Sequence, residues 1–431
     1  MSITNTSHIV DNNKLKSDNN YDNELSLNSS IPNDWSKVQL KNIGNTFTGI
    51  SGKNKDDFGF GKPYIPYLNI FNNAIIKDDH FDYVNIKDNE TQEKVRYGDI
   101  FFTTSSETPE EVGMCSVYLG NSQELYLNSF CFGFRLTNDI DFSPIYLAEL
   151  FRSNVGRRTI YKLAQGATRY NLSKTSLLKE NIFVPPFKQQ QKIAEILSTW
   201  DEAIANCKAT IISIKNRNKG LAQQLLTGKK RLSGFSDKWE VKPLGDLLIY
   251  TPREVDKPDE TFLALGLRSH GKGVFHKPDF EPSAIAMTKL YIVKENDLVV
   301  NITFAWEQAI AIASKEDEGG LVSHRFPTYT FNPKTASHLY FKFFILQSFF
   351  KSMLELISPG GAGRNRVMSK KDFLKLEVKV PKIEEQIAIA QVLEAADQEL
   401  KSYEAKLEAF QLQKKGLMQQ LLTGKIRVNV K

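Results

Sequence analysis

The segment KGLAQQLLTGK at residues 219–229 recurs as KGLMQQLLTGK at residues 415–425, 196 positions later in the chain. The similarity extends without a gap over residues 184–231 and 380–427, and each copy begins at a Val-Pro pair. A long ungapped repeat at one fixed offset predicts a duplicated structural element. The organisation of the whole chain can therefore be worked out from this repeat.

The repeated segment has the periodicity of a long amphipathic helix. Apolar residues recur in alternating steps of four and three from position 193 to 225 and again from 389 to 421, which is a heptad seam. Each copy has one polar interruption, Asn218 in the first and Lys414 in the second. The main residues predicted for this coiled-coil seam are Leu197, Ile204, Ile211, Leu221, Leu393, Leu400, Leu407 and Leu417.

Prolines stand just before each predicted helix, and Gly228 and Gly424 stand just after it, as expected of helix starts and stops. A helix of about 39 residues would be ~58 Å long and would carry an apolar stripe that it cannot bury alone. We predict that the two copies pack on each other as an antiparallel intramolecular coiled coil. The alternative is that each helix packs on its own domain or on another subunit.

The repeat divides the chain into alternating segments. They are a disordered polar tail (1–30), a globular domain (31–183), a helical spacer (184–229), a second globular domain (230–379) and a second helical spacer (380–431). Both globular segments mix strand and helix signals. The predicted fold class is therefore α+β, with two globular domains separated by two long helices in a pseudo-twofold repeat.

The globular segments share several landmarks. GDIFFT at 98–103 and NDLVVN at 296–301 are predicted to be buried strands that follow a tight turn. Later in each segment comes a glycine-rich basic loop, GATRYNLSK at 166–174 in the first and GGAGRNR at 360–366 in the second. Ser173 and Ser369, at the end of the first loop and just after the second, are candidate helix N-caps.

The basic loops are the strongest chemical signal, because glycine lets the backbone approach a phosphate, while Arg and Asn can read guanine and adenine. A glycine-rich surface turn with solvated charges is the alternative for each loop taken alone. A third and weaker candidate of the same kind is RSHGKG at 268–273. The candidate DNA-binding residues are Arg169, Tyr170, Asn171, Lys174, Arg268, Lys272, Arg364, Asn365, Arg366 and Lys370.

Composition excludes several other classes of protein. The net charge of +6 permits nucleic-acid binding without requiring it, and neither a membrane-length apolar segment nor a secretory signal is present. We therefore expect a cytoplasmic protein. No CxxC pair, P-loop or amino-methyltransferase tetrad occurs, so we expect no catalytic residues and no metal site.

This pattern resembles the DNA-specificity (S) subunits of type I restriction–modification enzymes over roughly residues 31–427. The resemblance rests on the two helical repeats and on the strand GDIFFT at 98–103. It also rests on GFSDKW at 234–239, on VPPFKQQQKIA at 184–194 and on VPKIEEQIAIA at 380–390. The first domain departs from the pattern because no Gly-Phe pair precedes Trp35.

The resemblance implies that each globular segment is a target recognition domain that reads one half of a bipartite site in double-stranded DNA. It also implies that the helices set the gap between the half-sites and dock two methyltransferase (M) subunits, with two restriction/translocase (R) subunits completing the complex. This chain would hold no cofactor, since S-adenosylmethionine would bind the M subunit, and ATP and magnesium the R subunit. Two alternatives stay open: a coiled-coil scaffold that binds partner proteins instead of DNA, and a stand-alone modification enzyme with unrecognised motifs.

Overall fold

The structure is a computed structural model that describes residues 31–137, 141–360 and 366–430. The predicted polar tail (1–30) and the candidate DNA-binding residues Arg364 and Asn365 lie outside the described residues. Within the described ranges, no helix is both long and apolar enough to cross a membrane.

The first half of the chain combines short strands with helices. Its strands are β1 (Ser36–Gln39), β2 (Gly44–Thr48), β3 (Phe58–Ile65), β4 (Ile75–Ile76), β5 (Asp82–Val84), β6 (Ile100–Thr103), β7 (Ser105–Ser106), β8 (Cys115–Tyr118), β9 (Tyr126–Leu127), β10 (Cys131–Leu136), β11 (Ala164–Gln165), β12 (Tyr170–Leu172) and β13 (Asn181–Val184). Its helices are α1 (Tyr67–Asn72), α2 (Pro144–Arg152), α3 (Asn154–Leu163), α4 (Lys174–Lys179) and α5 (Phe187–Leu226).

The second half repeats this mixture. Its strands are β14 (Glu240–Pro243), β15 (Leu248–Tyr250), β16 (Glu254–Asp256), β17 (Phe262–Leu267), β18 (Val274–Phe280), β19 (Lys289–Ile292), β20 (Leu298–Val300), β21 (Ile310–Ile312), β22 (Leu321–Val322), β23 (Thr328–Phe331) and β24 (Glu377–Val380). Its helices are α6 (Leu244–Leu247), α7 (His338–Phe344), α8 (Ser348–Leu356), α9 (Lys370–Lys375) and α10 (Ile383–Leu421). The predicted α+β class is confirmed.

The two long helices α5 and α10 contain 40 and 39 residues, as the repeat predicts. Gly228 and Gly424 follow them with φ angles of 70° and 73°, a left-handed conformation that suits glycine at the end of a helix. The chain separates into two compact units, and the division falls inside both helices. The first unit holds the chain up to Asn206 together with Leu407 onward, and the second is Cys207–Lys406. The predicted domain boundaries lie at the ends of the repeated helices, whereas the two compact units divide the chain inside those helices.

In the first unit, the start of α5 packs against the end of α10. The Trp200 and Phe410 rings lie edge to face with centroids 5.6 Å apart. Earlier in α5, Ile193 and Leu197 share an apolar core with Leu421 near the end of α10. Residue numbers rise along one helix as they fall along the other, so the pairing is antiparallel.

In the second unit, the end of α5 packs against the start of α10 in the same antiparallel sense. The Cys207 thiol contacts the Tyr403 carbonyl at 3.6 Å, and the Asn218 amide donates to the Ala396 carbonyl at 2.8 Å. Across both units, every predicted seam residue is buried or partly buried. The predicted antiparallel pairing of α5 with α10 is therefore confirmed within each unit.

The polar interruptions of the seam have separate partners. The Asn218 amide donates a hydrogen bond to the Ala396 carbonyl. The Lys414 ammonium lies 2.7 Å from Asp201 Oδ1 and 3.0 Å from Glu149 Oε1. Glu149 is on α2, so this partly buried cluster joins both long helices to the globular part of the first unit. A polar residue in an apolar seam is costly when mispaired, which favours one register over others.

A buried glutamine ties the start of each long helix to its globular domain. Gln190 of α5 accepts the backbone N–H of Ser143 at 3.1 Å, and Gln386 of α10 accepts that of Ser337 at 3.0 Å. Both amides also donate to the proline carbonyl five residues earlier in the chain. Because Ser143 and Ser337 immediately precede helices α2 and α7, the junction is built in the same way in both units.

The globular parts share their strand order as well. The first unit contains the sheet β2-β10-β6-β8-β4, and the second contains β15-β23-β20-β21. The predicted buried strands are β6 and β20, and they pair with equivalent neighbours. Each follows a turn with positive φ, at Gly98 (84°) or Asn296 (69°). The duplication read from the helices therefore extends through the globular domains.

We predict that Glu149→Gln makes the stability of the protein less sensitive to pH. Burial, assisted by the neighbouring Asp201 carboxylate and opposed by Lys414, raises the pKa of Glu149 to about 7 from its ordinary 4.5. The folded protein therefore retains a proton that the unfolded chain loses, so the wild type loses stability as pH rises from 4.5 to about 7. The loss should be on the order of 1–3 kcal/mol, measured as the free energy of unfolding at pH 5 and pH 8.

The matched control is Glu195→Gln, which removes an exposed carboxylate from α5. It should follow the wild-type pH profile. Equal pH dependence of the wild type and Glu149→Gln would contradict the assignment of the proton to this cluster.

Candidate nucleic-acid interface

The first basic loop is the tip of the hairpin formed by β11 and β12. Gly166 has a φ of 135°, and a Cβ there would meet the Arg169 carbonyl, so glycine is required for the turn. Arg169 and Asn171 are exposed, and the Asn171 amide donates to the Arg169 carbonyl at 3.3 Å. Tyr170 is partly buried and lies opposite Ser106 of β7. The hairpin thus displays a guanidinium and an amide side by side.

Lys174 behaves differently from the rest of that loop. It is the first residue of α4, directly after Ser173, whose side chain caps the helix. Its ammonium lies 5.9 Å from the centre of the buried Phe132 ring, and burial lowers its pKa. Lys174 is therefore partly packed against the core, whereas Arg169 is exposed.

The turn at residues 268–273 joins β17 to β18 and is held against the segment 305–308. The His270 N–H donates to the Glu307 carbonyl at 2.6 Å, and the Gly271 N–H donates to the Gln308 carbonyl at 2.9 Å. His270 has a φ of 63°, which is unusual outside glycine and shows that the turn is held by its surroundings. Lys272 is exposed, and the Arg268 guanidinium lies 5.6 Å from the centre of the Phe275 ring.

Arg366 reaches the same segment from a distant part of the sequence. Its guanidinium lies 5.2 Å from the centre of the Trp306 ring, next to the Glu307 that holds the 268–273 turn. The fold therefore brings together two candidates almost a hundred residues apart in the sequence. Lys370, the first residue of α9, instead donates to the Tyr250 hydroxyl at 3.0 Å.

Both basic loops end at the same structural position. The Leu172 N–H donates to the Thr104 carbonyl, and the Met368 N–H donates to the Ile302 carbonyl, each at 2.9 Å. Thr104 and Ile302 follow the equivalent strands β6 and β20 with at most one residue between. Ser173 and Ser369 come next and cap α4 and α9, as predicted.

The arginines of the described residues divide by their partners. Several bind carboxylates, as Arg135 binds Asp99 and Arg253 binds Asp297. Within the described part of the chain, Arg169, Arg268 and Arg366 have no carboxylate within ion-pair distance. Their charge is therefore available to an anionic ligand.

A buried aspartate precedes each of the strands β6 and β20 and binds an arginine. Asp99 receives two hydrogen bonds from Arg135, at 2.8 and 2.7 Å, and Asp297 binds Arg253. Burial raises the pKa of Asp99, although the hydrogen bonds from Arg135 oppose that shift. Arg135 lies on β10, whereas Arg253 lies in the connection between β15 and β16, so the two equivalent aspartates bind arginines from different parts of their units.

Sequence reasoning missed Trp306, Glu307 and Tyr250. Trp306 and Tyr250 contact the predicted cations Arg366 and Lys370, and Glu307 holds the turn at 268–273. None lies in a glycine-rich or basic motif, so the search for such motifs passed over them. The signal that could have found Trp306 and Glu307 is the sequence AWE between strands β20 and β21. The first unit has a polar connection at the equivalent position, between β6 and β8.

Among the described residues, no group of three or more His, Cys, Asp or Glu side chains could hold a metal ion. The three cysteines, Cys115, Cys131 and Cys207, are buried and unpaired with one another. Burial raises the pKa of the Cys115 thiol to about 12, which disfavours the reactive thiolate.

Comparison with known proteins identifies consistent relatives. The family model for the type I restriction modification DNA specificity domain matches residues 32–216 and 236–409. A putative type I restriction enzyme MjaX specificity subunit from Methanocaldococcus jannaschii is 26% identical over 422 residues, covering 92% of this chain and 95% of that protein.

Solved structures show the same fold. The type I restriction–modification S subunit from M. genitalium gives a TM-score of 0.50 at 14% identity, covering 94% of this chain and 99% of that one. The HsdS subunit from Thermoanaerobacter tengcongensis gives a TM-score of 0.50 at 14% identity, covering 92% and 98%.

We predict that Arg253→Ala destabilises the second unit, whereas Arg268→Ala does not. Removing Arg253 leaves the buried Asp297 without its cation, a change that costs about 3–5 kcal/mol. Among the described residues, the Arg268 guanidinium packs on the Phe275 ring and has no carboxylate within ion-pair distance, so its removal should change stability by about 0.5 kcal/mol or less. Denaturant-induced unfolding of the two variants measures the difference, and equal losses of stability would contradict this division of the arginines.

Proposed function

The chain belongs to the family of DNA-specificity subunits of type I restriction–modification systems, and from this premise we propose that each unit reads one half of a bipartite site in double-stranded DNA. One observation carries this proposal. Each unit has a basic loop with an arginine, Arg169 or Arg366, that has no carboxylate partner among the described residues. The two loops end at equivalent positions, where their backbones bond to the residues that follow β6 and β20.

The chemistry of these residues suits DNA. A guanidinium can bind a phosphate or donate two hydrogen bonds to guanine, and an asparagine amide can pair with adenine. Arg169 beside Asn171 supplies both groups in the first unit. Arg268 and Arg366, held around the segment 305–308, supply two guanidinium groups in the second. We assign Tyr170, Lys174, Lys272 and Lys370 to supporting contacts at the same interface, with Arg364 and Asn365 as further candidates outside the described residues.

The long helices have a separate role in this proposal. α5 and α10 set the gap between the two half-sites and dock two methyltransferase subunits, with two restriction/translocase subunits completing the complex. S-adenosylmethionine, ATP and magnesium then bind those partners, and this chain contributes recognition without catalysis. The seam residues Leu197, Ile204, Ile211, Leu221, Leu393, Leu400, Leu407 and Leu417 keep the helices paired.

We predict that Arg169→Ala and Arg268→Ala each impair the reading of one half-site only. Each variant is co-expressed with the methyltransferase partner, and methylated bases are mapped in DNA from those cells. A lost base contact costs about 1–3 kcal/mol, so discrimination at the affected position should fall about tenfold while the other half-site stays intact. Binding of the wild-type complex should weaken as salt rises, because phosphate contacts release counterions.

The matched control is Arg217→Ala, since Arg217 is engaged by Glu399 in the helix pair. It should leave both half-sites unchanged. A wild-type complex without salt-dependent DNA binding or site-specific methylation would contradict the proposal and favour a protein scaffold. Methyl transfer by the isolated chain would favour a stand-alone enzyme.

A further inference from the structure

A four-residue turn leads into β10, the strand that pairs with β6 in the first unit. An equivalent turn precedes β23, the strand that pairs with β20 in the second unit. The turns are residues 128–131, with the sequence NSFC, and 323–326, with the sequence SHRF. Each is closed by a backbone hydrogen bond, from Cys131 to Asn128 at 3.1 Å and from Phe326 to Ser323 at 2.9 Å. These segments contain no glycine and no basic repeat, and motif searches pass over them.

The third residue of each turn, Phe130 or Arg325, is held in the same way. Its N–H donates to the side chain of the first residue, to Asn128 at 2.8 Å or to Ser323 at 3.3 Å. Its carbonyl accepts the backbone N–H of Thr104 at 2.9 Å or of Ile302 at 3.0 Å. The backbone at this position is therefore fixed on both sides of the residue.

Thr104 and Ile302 are also the residues on which the two basic loops end. Each uses its N–H to hold the turn and its carbonyl to hold the loop, through Leu172 in the first unit and Met368 in the second. The third residue of the turn and the end of the basic loop are thus joined through a single residue. This arrangement occurs twice in the chain, once in each unit.

The side chains at the third position of the two turns, Phe130 and Arg325, differ in chemistry. Phe130 is 62% exposed, a large apolar surface with no role in the core. Arg325 is exposed, and no carboxylate among the described residues lies within ion-pair distance of it. The same hydrogen-bonded backbone therefore presents an exposed phenyl ring in one unit and an exposed guanidinium in the other. Two such positions can contact chemically different ligands with the same geometry.

We propose that Phe130 and Arg325 are specificity-determining residues that contact base edges in the half-sites read by the first and second units. This inference rests on the proposed function. Phe130 makes an apolar contact of the kind that recognises a thymine methyl group, and Arg325 donates two hydrogen bonds to guanine. Because the turn is already held by three hydrogen bonds, little backbone ordering is needed when the side chain engages a base.

The test maps methylated sites for Phe130→Ala and Arg325→Ala in the complex with the methyltransferase partner. Phe130→Ala should lower discrimination about tenfold at one position of the half-site that Arg169→Ala impairs. Arg325→Ala should do the same in the half-site that Arg268→Ala impairs. Arg325→Lys keeps the charge but not the paired donors, so it should retain DNA affinity and still lose the guanine preference.

The matched controls lie before the starts of β6 and β20, the strands that Thr104 and Ile302 follow. Tyr97→Ala removes an aromatic side chain, 65% exposed, before β6, and Lys294→Ala removes an exposed cation before β20. Both should leave recognition unchanged. Unfolding midpoints equal to the wild type would show that the variants fold.

Unchanged half-site recognition in Phe130→Ala and Arg325→Ala would overturn the inference while site-specific methylation by the wild type left the proposed function standing. Failure of the wild-type complex to recognise any site would instead refute the proposed function itself. Loss of recognition in Tyr97→Ala or Lys294→Ala to the same extent would also overturn the inference, since the effect would not be specific to the turn.

Discussion

The antiparallel pairing of α5 with α10 is the interaction on which the rest of the structure depends. Each helix carries a seam that it cannot bury alone, and each unit completes its core with the start of one helix and the end of the other. Lys414 strengthens this dependence in the first unit, because its ammonium contacts both Asp201 of α5 and Glu149 of α2. The register of the helices and the position of the globular domain on them are therefore set together within that unit.

Duplication has preserved backbone connections more faithfully than side chains. Gln190 and Gln386 make the same contacts at the helix starts, and Thr104 and Ile302 bridge the same two segments. By contrast, Asp99 binds an arginine on β10, whereas Asp297 binds an arginine in the connection between β15 and β16. A protein that must present two different surfaces on one support benefits from this separation, since a change in an exposed side chain leaves the hydrogen-bonded frame intact.

Sequence periodicity predicted the features that depend on neighbours along the chain. The long helices, their seam, strands β6 and β20 and the serine caps at 173 and 369 are all local patterns, and the structure contains them. The contact of Arg366 with Trp306, and of the 268–273 turn with Glu307, joins segments far apart in sequence. Such contacts follow from tertiary packing. Glycine-rich basic loops are visible as motifs, whereas an exposed Phe130 in an ordinary turn is visible only once its hydrogen bonds are known.

The basic and acidic residues of the protein nearly balance in number. The chain has 56 basic and 50 acidic residues, and the ion pairs of the described regions engage several arginines with carboxylates. Arg152 and Arg157 instead donate to backbone carbonyls, whereas Arg169, Arg268, Arg325 and Arg366, at turns and loop ends, have no carboxylate within ion-pair distance among the described residues. The net charge of +6 is small, and electrostatic attachment scales with the number of phosphates neutralised, so under the proposed function these guanidinium groups contribute discrimination more than strong attachment. Under the proposed function, tight binding to DNA would then require cations from the partner subunits, while this chain determines which bases are accepted.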